Sequence, residues 1–461
     1  MAKTPVTMET IVNLAKRRGF LFQGSEIYGG LQGTYDYGHY GVLLQKNIKD
    51  AWWKALLQKR NDVVGLDAAI LMHPKVWEAS GHVGTFTDAL VDDKISKKRY
   101  RADHLIEDQL DRQVEGLSNE ELTEIFRENE IKTPEGKKAD WTEVRSFNLM
   151  FKTHAGPVAD DESAIYLRPE TAQAMFVDFK EIQASTRRKP PFGIAQIGKM
   201  FRNEITPGKF IFRLREFEAM EMEFFCPPAE AKEWHDYWLK ERLRWHIEDL
   251  GLSKGKLRLR EHTKEELSHY SVRTADIDYE FPFGYAELEG IANRGDYDLT
   301  QHAKHSGKDL SFFDESLGES YVPHVIEPAG GVDRKVFAVL CDAYTEEADE
   351  KGDNRVVLKL KPSLAPIKAA ILPLMKKPEL RKVALNVQQT LSDELMTEYD
   401  ETGSIGKRYR RHDEIGTPYG VTVDFDTLED KAVTIRDRDT QKQERVAIVE
   451  LAVYLSTKLR A

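Results

Sequence analysis

Apolar and polar positions change period several times along the chain, and each change marks an element. Over residues 7–19 the apolar positions recur at helical spacing, and over 42–59 Leu43, Ile48, Trp52, Ala55 and Leu56 do the same. Two amphipathic helices are predicted there. The segment 20–33 between them is rich in Gly and aromatic residues, and a strand is predicted over 63–72, stopped by His73-Pro74. Strand-like alternation returns at 164–167, after which Arg168-Pro169-Glu170-Thr171-Ala172-Gln173 reads as the opening of a helix, with Pro169 and Glu170 in its first turn.

The stretch 201–223 predicts a hairpin around Thr206-Pro207-Gly208-Lys209, where Pro fixes φ and Gly permits a positive one. Alternation then puts Arg202 and Glu204 on one face of the first arm. On the second arm Arg213, Arg215, Phe217, Ala219, Glu221 and Glu223 share a face, and Leu214, Met220, Met222 and Phe224 take the other. Cations, a flat ring and acids on one face fit two readings. One is a solvated sheet laced with ion pairs; the other is a platform for a ligand with an anionic end, a planar ring and an amino group. A helix rich in Trp and charge follows at 229–250, then strands at 276–281 and 285–289 around Pro282-Phe283-Gly284. This alternation expects Glu287 and Glu289 on one face, either solvated or holding a divalent metal beside a triphosphate. From 323 a strand runs through Ala329-Gly330-Gly331 into a helix reaching about 347, with Arg334 in its first turn. The helix dipole disfavours a cation there, which speaks against a merely decorative Arg334, and the small residues let the backbone approach a ligand closely, although a Gly-rich turn alone is weak evidence.

Length and composition set bounds on these readings. A chain of 461 residues suggests two or three domains, and 41% hydrophobic with 31% charged residues is ordinary for a soluble globular protein. The net charge of -11 argues against wholesale coating of nucleic acid but leaves room for a local basic surface. Cys226 and Cys341 form no zinc pattern and suit free thiols in a reducing compartment. No signal peptide is visible, and no run approaches the ~20 apolar residues that span a bilayer, so a cytoplasmic protein away from membranes is expected.

Residues 83–163 are more polar than their surroundings and read as an insertion, with a basic run at Lys97-Lys98-Arg99-Tyr100-Arg101 and a helix over 119–130 capped by Ser118 with Glu121. From about 361 strands (366–374, 419–425, 432–436) alternate with helices (381–399, 405–415, 446–459), which makes a separate α/β domain. Its run Lys407-Arg408-Tyr409-Arg410-Arg411-His412 is either a solvated basic helix or a grip on phosphates and bases, with Tyr409 stacking.

Taken together, these segments resemble the class II aminoacyl-tRNA synthetases, and specifically the homodimeric glycyl-tRNA synthetase family. The helix and strand ending at Pro74 look like the family's first motif. Phe201-Arg202-Asn203-Glu204 with Arg213, Phe217 and Glu221 meets every position of the second, and Gly331 with Arg334 looks like the third, with Ala329 where the general pattern has Gly. The glycyl likeness rests on Val76-Trp77-Glu78-Ala79-Ser80-Gly81-His82, the Arg168 to Gln173 run, and Val325-Ile326-Glu327-Pro328. It also rests on Asn293-Arg294-Gly295-Asp296-Tyr297-Asp298-Leu299 and Asp413-Glu414-Ile415-Gly416-Thr417-Pro418-Tyr419-Gly420. It covers nearly the whole chain.

The resemblance implies an α+β catalytic domain on an antiparallel sheet over 1–360, with the insertion at about 83–163, and a C-terminal α/β anticodon-binding domain over 361–461. It implies that glycine and ATP give glycyl-adenylate and pyrophosphate, and that tRNA(Gly) then takes the glycyl group and releases AMP. By the same resemblance Arg202 clamps the α-phosphate, Glu204 accepts from the adenine amino group, Phe217 stacks under the ring, and Arg334 holds the γ-phosphate. The implied ATP site continues through Asn203, Phe212, Arg213, Leu214, Arg215 and Glu216, then Glu287 and Leu288, then Gly331, Val332 and Asp333. Glu287 is its magnesium ligand. The implied glycine site comprises Arg101, Glu170 and Arg294, the run Phe217, Glu218, Ala219, Met220 and Glu221, and the run Glu327, Pro328, Ala329, Gly330 and Gly331. Glu170, Glu221 and Glu327 take the ammonium, and the pocket selects the smallest amino acid by excluding larger ones. Tyr409, Arg410 and Arg411 are the implied tRNA contacts. Mg2+ accompanies ATP, no zinc is expected, and the enzyme is a homodimer in the cytoplasm.

Overall fold

The computed structural model describes residues 6–460 other than 111, 113, 115, 161, 265, 269, 317 and 349–353. Seven strands form the sheet that positions the site: β1 (Val63–Gly65), β2 (Phe192–Phe201), β3 (Glu216–Cys226), β4 (Leu257–Glu261), β5 (Arg273–Phe281), β6 (Gly284–Gly295) and β7 (His324–Gly331). Their spatial order is β4-β5-β6-β7-β3-β2-β1, antiparallel throughout except that β1 runs parallel to β2.

One face of this sheet is covered by α1 (His39–Trp53), α2 (Ala231–Glu248) and α3 (Val332–Ala343). Leu44, Ile48 and Trp52 of α1, Trp238 and Trp245 of α2, and Val336, Phe337 and Leu340 of α3 meet Met220, Met222 and Phe224 of β3 in one apolar core. Because side chains alternate along a strand, Phe217, Ala219, Glu221 and Glu223 are turned to the opposite face. The far end of that second face is plugged by the helices Ala172–Val177, Phe179–Thr186 and Tyr297–Ser306, whose Phe176, Phe179 and Leu299 pack on Phe192, Phe225 and Val325. Its centre stays open.

The insertion has its own three-stranded sheet, with Thr87–Asp92 between Arg99–Arg101 and Arg145–Asn148, and its own core around Ile106, Leu122 and Phe126. Its helix Asn119–Glu128 starts with the expected capping box between Ser118 and Glu121. The C-terminal region forms a five-stranded sheet in the order Thr397–Tyr399, Ala369–Pro373, Tyr419–Val423, Ala432–Asp437 and Gln443–Ala447. The first three strands are parallel, the last two antiparallel, and Ile371, Leu380, Val421 and Leu455 sit in a core of their own.

Several predicted boundaries move. The hairpin over 201–223 is not continuous: β2 ends at Phe201, β3 begins at Glu216, and the chain between them makes an excursion with a 3-10 turn at Phe210–Phe212. Its positive φ values fall at Lys209 (54°) and Phe210 (59°), not at Gly208. The strand expected over 63–72 ends at Gly65, and the helix expected from 168 starts at Ala172, so Pro169 and Glu170 precede it. The helix expected through 347 ends at Ala343, and the one expected over 381–399 is Pro378–Ser392, with the chain re-entering the sheet at Thr397. The last predicted helix is divided into a strand, Gln443–Ala447, and the helix Leu451–Arg460.

Candidate active site

A pocket of about 380 Å³ opens on the uncovered face of the sheet. Phe217, Ala219 and Glu221 of β3 with Ala329 and Gly331 of β7 line it from the sheet; the 202–215 excursion supplies Arg202, Glu204, Phe212 and Arg213, and Phe86, Asp88 and Arg101 come from the insertion side. Ala219 stands across the ladder from Gly331, and Glu221 across from Ala329, so small residues keep this part of the sheet open to a ligand.

Arg202 leaves the end of β2 with its Nε donating to the Pro169 carbonyl at 3.1 Å, and its guanidinium lies 5.6 Å from the Phe217 ring centroid and 5.4 Å from that of Phe86. The excursion is pinned by main-chain contacts: Asn203 N donates to the Leu149 carbonyl at 2.7 Å, and Arg215 Nε to the Glu204 carbonyl at 3.1 Å. Arg334, in the first turn of α3, stacks 4.2 Å over Phe212 and places Nη1 3.2 Å from the Glu287 carboxylate. Desolvation by the pocket walls raises the Glu287 pKa, but Arg334 outweighs it and holds the carboxyl below its ordinary value. Burial pushes the Asp88 carboxyl up to about 6 against the pull of Arg101, whose Nη1 is 3.3 Å away.

Glu287 and Glu289 do not share a face, contrary to the alternation. Ile277 pairs with Glu289 and Asp278 with Glu287, so Leu288 is the extra residue of a β-bulge. Glu287 stays in the pocket. Glu289 is turned under the sheet, where it is buried with Arg242, His246 and Lys335.

Beyond the pocket, towards the plugged end, acids gather. Arg294 Nη1 lies 3.1 and 3.0 Å from the Glu327 oxygens, and its Nε and Nη2 lie 2.7 and 2.9 Å from those of Asp298. Glu170 lies 4.0 Å from Arg294 and 3.4 Å from His82 Nε2, and it accepts from Gln173 Nε2 at 2.8 Å. Glu221 accepts from the Thr171 amide at 2.8 Å and from the Thr171 hydroxyl. Glu223 is fully buried and neither of its oxygens has a hydrogen-bond partner. Burial raises Glu221, Glu223 and Glu327, with neighbouring carboxylates adding to it, and Glu327 reaches about 7. Burial works the same way on Glu170, but His82 and Arg294 overcome it and hold Glu170 well below the ordinary range. This region is short of positive charge and suits a small ammonium group.

Some expected residues do not turn their side chains to the pocket. Glu218 pairs with Lys49 of α1 at 2.9 Å, and Met220, Leu288 and Val332 belong to the core under the sheet. Pro328 and Gly330 alternate to that same underside, so these residues reach a ligand only through main chain. Arg215 binds the Gln32 carbonyl at 3.0 Å and Glu216 pairs with Lys199 at 3.0 Å; Asp333 does line the pocket, and its carboxylate joins Tyr37 Oη (2.6 Å) to the Glu218 amide (3.0 Å). Sequence reasoning omitted Glu223, Asp298, Gln173 and His82 from the site. Alternation from Glu221 pointed to Glu223, and the others lie inside the quoted family runs. In the C-terminal region Tyr409 is a packing residue: its hydroxyl is 2.6 Å from Thr422 Oγ1, and Arg436 lies 4.7 Å from its ring centroid. A Cβ on Gly420 would lie 2.7 Å from that ring, so Tyr409 is not presented as an open stacking plate. Arg411 pairs with Asp400 and donates to the Thr402 carbonyl at 2.7 Å, while Arg410 is exposed.

The chain is similar to known proteins over nearly its whole length. Residues 88–121 match the family described as "Glycyl-tRNA synthetase insertion domain 1", and residues 368–458 match "Anticodon binding domain". A glycine--tRNA ligase of Alkaliphilus oremlandii (strain OhILAs) is 56% identical over 99% of this chain and 99% of its own. That of Clostridium acetobutylicum is 56% identical over 99% of this chain and 100% of its own, and that of Bacillus thuringiensis subsp. konkukian 54% identical over 98% and 99%. Among solved structures, a prolyl-tRNA synthetase from Cryptosporidium parvum complexed with halofuginone and AMPPNP superposes with a TM-score of 0.64 at 16% identity, covering 98% of this chain and 75% of that one. That likeness is one of fold.

Proposed function

The chain belongs to the glycine--tRNA ligase family, and from that premise we propose that it joins glycine to tRNA(Gly) through glycyl-adenylate, in the pocket on the open face of the sheet. The observation that carries this reading is the sequence of charges along that face. Arginines line the pocket, and buried acids held by Arg294 lie just beyond it. ATP occupies the first region and the glycine ammonium the second, which brings the glycine carboxylate to the α-phosphate beside Arg202.

In the first step a carboxylate oxygen of glycine attacks the α-phosphorus and pyrophosphate leaves. In the second the terminal ribose hydroxyl of tRNA attacks the glycyl carbonyl and AMP leaves. Neither step needs a nucleophile from the protein, so positioning and charge neutralisation supply the rate. Arg202 neutralises the α-phosphoryl oxygens, Phe217 carries the adenine, Glu204 accepts from its amino group, and Arg334 binds the γ-phosphate. Glu170, Glu221 and Glu327 hold the ammonium, with Arg294 fixing Glu327.

Glu287 fits a magnesium ion as a hard oxygen donor, and among the described residues no group of three or more His, Cys, Asp or Glu side chains is arranged to hold a metal. When bound with ATP, Mg2+ neutralises phosphate charge, with Glu287 as the protein's ligand. The exposed apolar side chains Ile27, Tyr28 and Leu31, close together on and just after the turn at Glu26–Tyr28, support a homodimer. The C-terminal region binds the anticodon arm through its basic helix, and the enzyme works in the cytoplasm.

Glycine-dependent ATP–pyrophosphate exchange, followed by charging of tRNA(Gly), tests the proposal. Exchange with glycine and none with alanine, serine or proline is expected. Absence of exchange with glycine, or preference for another amino acid, overturns it.

A further inference from the structure

We propose that Lys335 is a positioning residue for the polyphosphate end of the ATP site, pinning from beneath the sheet the bulge that presents Glu287 to Arg334. The inference rests on reading the pocket as the ATP site. Lys335 follows Arg334 in α3, yet the two side chains go to opposite faces of the sheet. Arg334 Nη1 donates to the Glu287 carbonyl at 3.0 Å from the pocket side. Lys335 Nζ lies 3.4 Å from the Leu288 carbonyl and 3.0 Å from Glu289 Oε2 from the other. Consecutive carbonyls of the bulge are thus held by consecutive cations from above and below.

The environment of Lys335 is built to fix it. Its side chain is fully buried, and its partner Glu289 also binds Arg242 Nη2 at 3.3 Å, with His246 Nε2 at 3.5 Å. Gly330, on the neighbouring strand, leaves the space for the ammonium: a Cβ there would lie 2.0 Å from Lys335 Nζ and 3.1 Å from the Leu288 carbonyl. A buried ion pair is a poor source of net stability compared with apolar packing of the same volume. A bulge, by contrast, has to be held at one residue for its side chains to be aimed. Without the grip on Leu288, the extra residue is free to shift along β6 and Glu287 loses its place beside Arg334. The acids around Arg294 lie elsewhere on the face and keep their contacts.

Lys335→Met in the full-length protein tests this, with Glu289→Gln alongside it. Glu289→Gln keeps the side-chain shape while removing the counter-charge of the ammonium, and it carries the same expectation if Lys335→Met does not fold. The KM for ATP in pyrophosphate exchange rises about tenfold, and the Mg2+ concentration for half-maximal rate rises with it, while the KM for glycine stays within about twofold. Calorimetric binding of ATP without glycine weakens by a similar factor. A residue that served only stability would lower the unfolding midpoint and leave these ratios alone. Unchanged ATP binding in the folded variants, or equal rises in both KM values, overturns the proposal. Wild-type protein that binds ATP but gives no glycine-dependent exchange would overturn the functional reading instead, and the ATP calorimetry would still decide the role of Lys335.

Discussion

Arg294 Nη1 lies 3.1 and 3.0 Å from the two oxygens of Glu327, while its opposite edge holds Asp298. One buried guanidinium therefore compensates two buried carboxylates directly, and it stands 4.0 Å from a third, Glu170. Arg294→Met removes the positive charge but keeps much of the volume. Breaking a buried pair from one side typically costs about 3–5 kcal/mol, because the remaining charge has no solvent to replace its partner. A loss of that size is expected in urea unfolding at pH 8, and a smaller one at pH 5.5, where Glu327 is protonated. Equal losses at the two pH values would separate Arg294 from the charge state of Glu327.

With the glycine ammonium among these acids, as proposed, glycine binding is expected to depend on pH. Glu327 has a pKa near 7, raised first by burial and then by Glu221 and Glu170 against the pull of Arg294, and Glu223 is raised by burial and by Glu327. Below that pKa Glu327 is neutral and attracts an ammonium less; above it the attraction is full. The KM for glycine is expected to fall as pH rises from about 6 to about 8, and glycine binding is expected to release protons at pH 7 because the ammonium lowers the carboxyl pKa. Calorimetry in buffers of different ionisation enthalpy measures the release. Proton uptake, or none, would contradict the assignment of Glu327. Stability runs the other way: the folded pKa lies above the unfolded one, so this group favours the folded state at acidic pH and loses that contribution as pH rises towards 7.

Most of this face was legible in the sequence, for a physical reason. In β3 the alternation from Phe217 to Phe224 is regular because one side packs on helices and the other on the site, so period two survives. It fails where tertiary contacts take over. Phe210, Ile211 and Phe212 read as strand, but Phe210 packs on Tyr35 and Phe337, and Phe212 on Phe281 and Phe283, which holds them in a 3-10 turn. The bulge at Leu288 left no mark in composition, since a single extra residue inverts the facing of all that follow it. Tyr409 sits in a basic run that suggests a nucleic-acid contact, and only its packing on Gly420 and Thr422 shows where the ring goes.

Arg202 and Arg334 both line the pocket, each beside a phenylalanine ring and each donating to a main-chain carbonyl. Held in this way, they suit the proposed roles on the phosphate oxygens of ATP. Arg202→Ala and Arg334→Ala are each expected to lower glycine-dependent exchange by about 10²–10³-fold, the range for losing one positioned electrostatic donor, with unfolding midpoints near wild type. Arg202→Ala should act mainly on the maximal rate and Arg334→Ala more on the KM for ATP. Near-normal exchange by either folded variant would remove that residue from its role.

The C-terminal region is the proposed site of tRNA binding and the pocket that of adenylate formation, so the two are separable by mutation. It has its own apolar core, and its basic helix Ile405–Asp413 carries Arg410 exposed beside Arg411. Arg410→Glu replaces a cation by an anion outside that core, so the ATP and glycine sites are left intact. Glycine-dependent exchange is expected within about twofold of wild type, while the KM for tRNA(Gly) rises about tenfold or more. A phosphate contact also leaves a mark in salt dependence: each one lost reduces the slope of log affinity against log salt by about one. Arg411 already engages Asp400, so Arg411→Glu sets like charges together and is expected to disturb the helix as well as the tRNA contact. Its unfolding midpoint should therefore fall. Equal loss of exchange and charging in a well-folded Arg410→Glu variant would argue against a tRNA contact at this helix, and an unchanged salt slope would assign the position to something other than a phosphate.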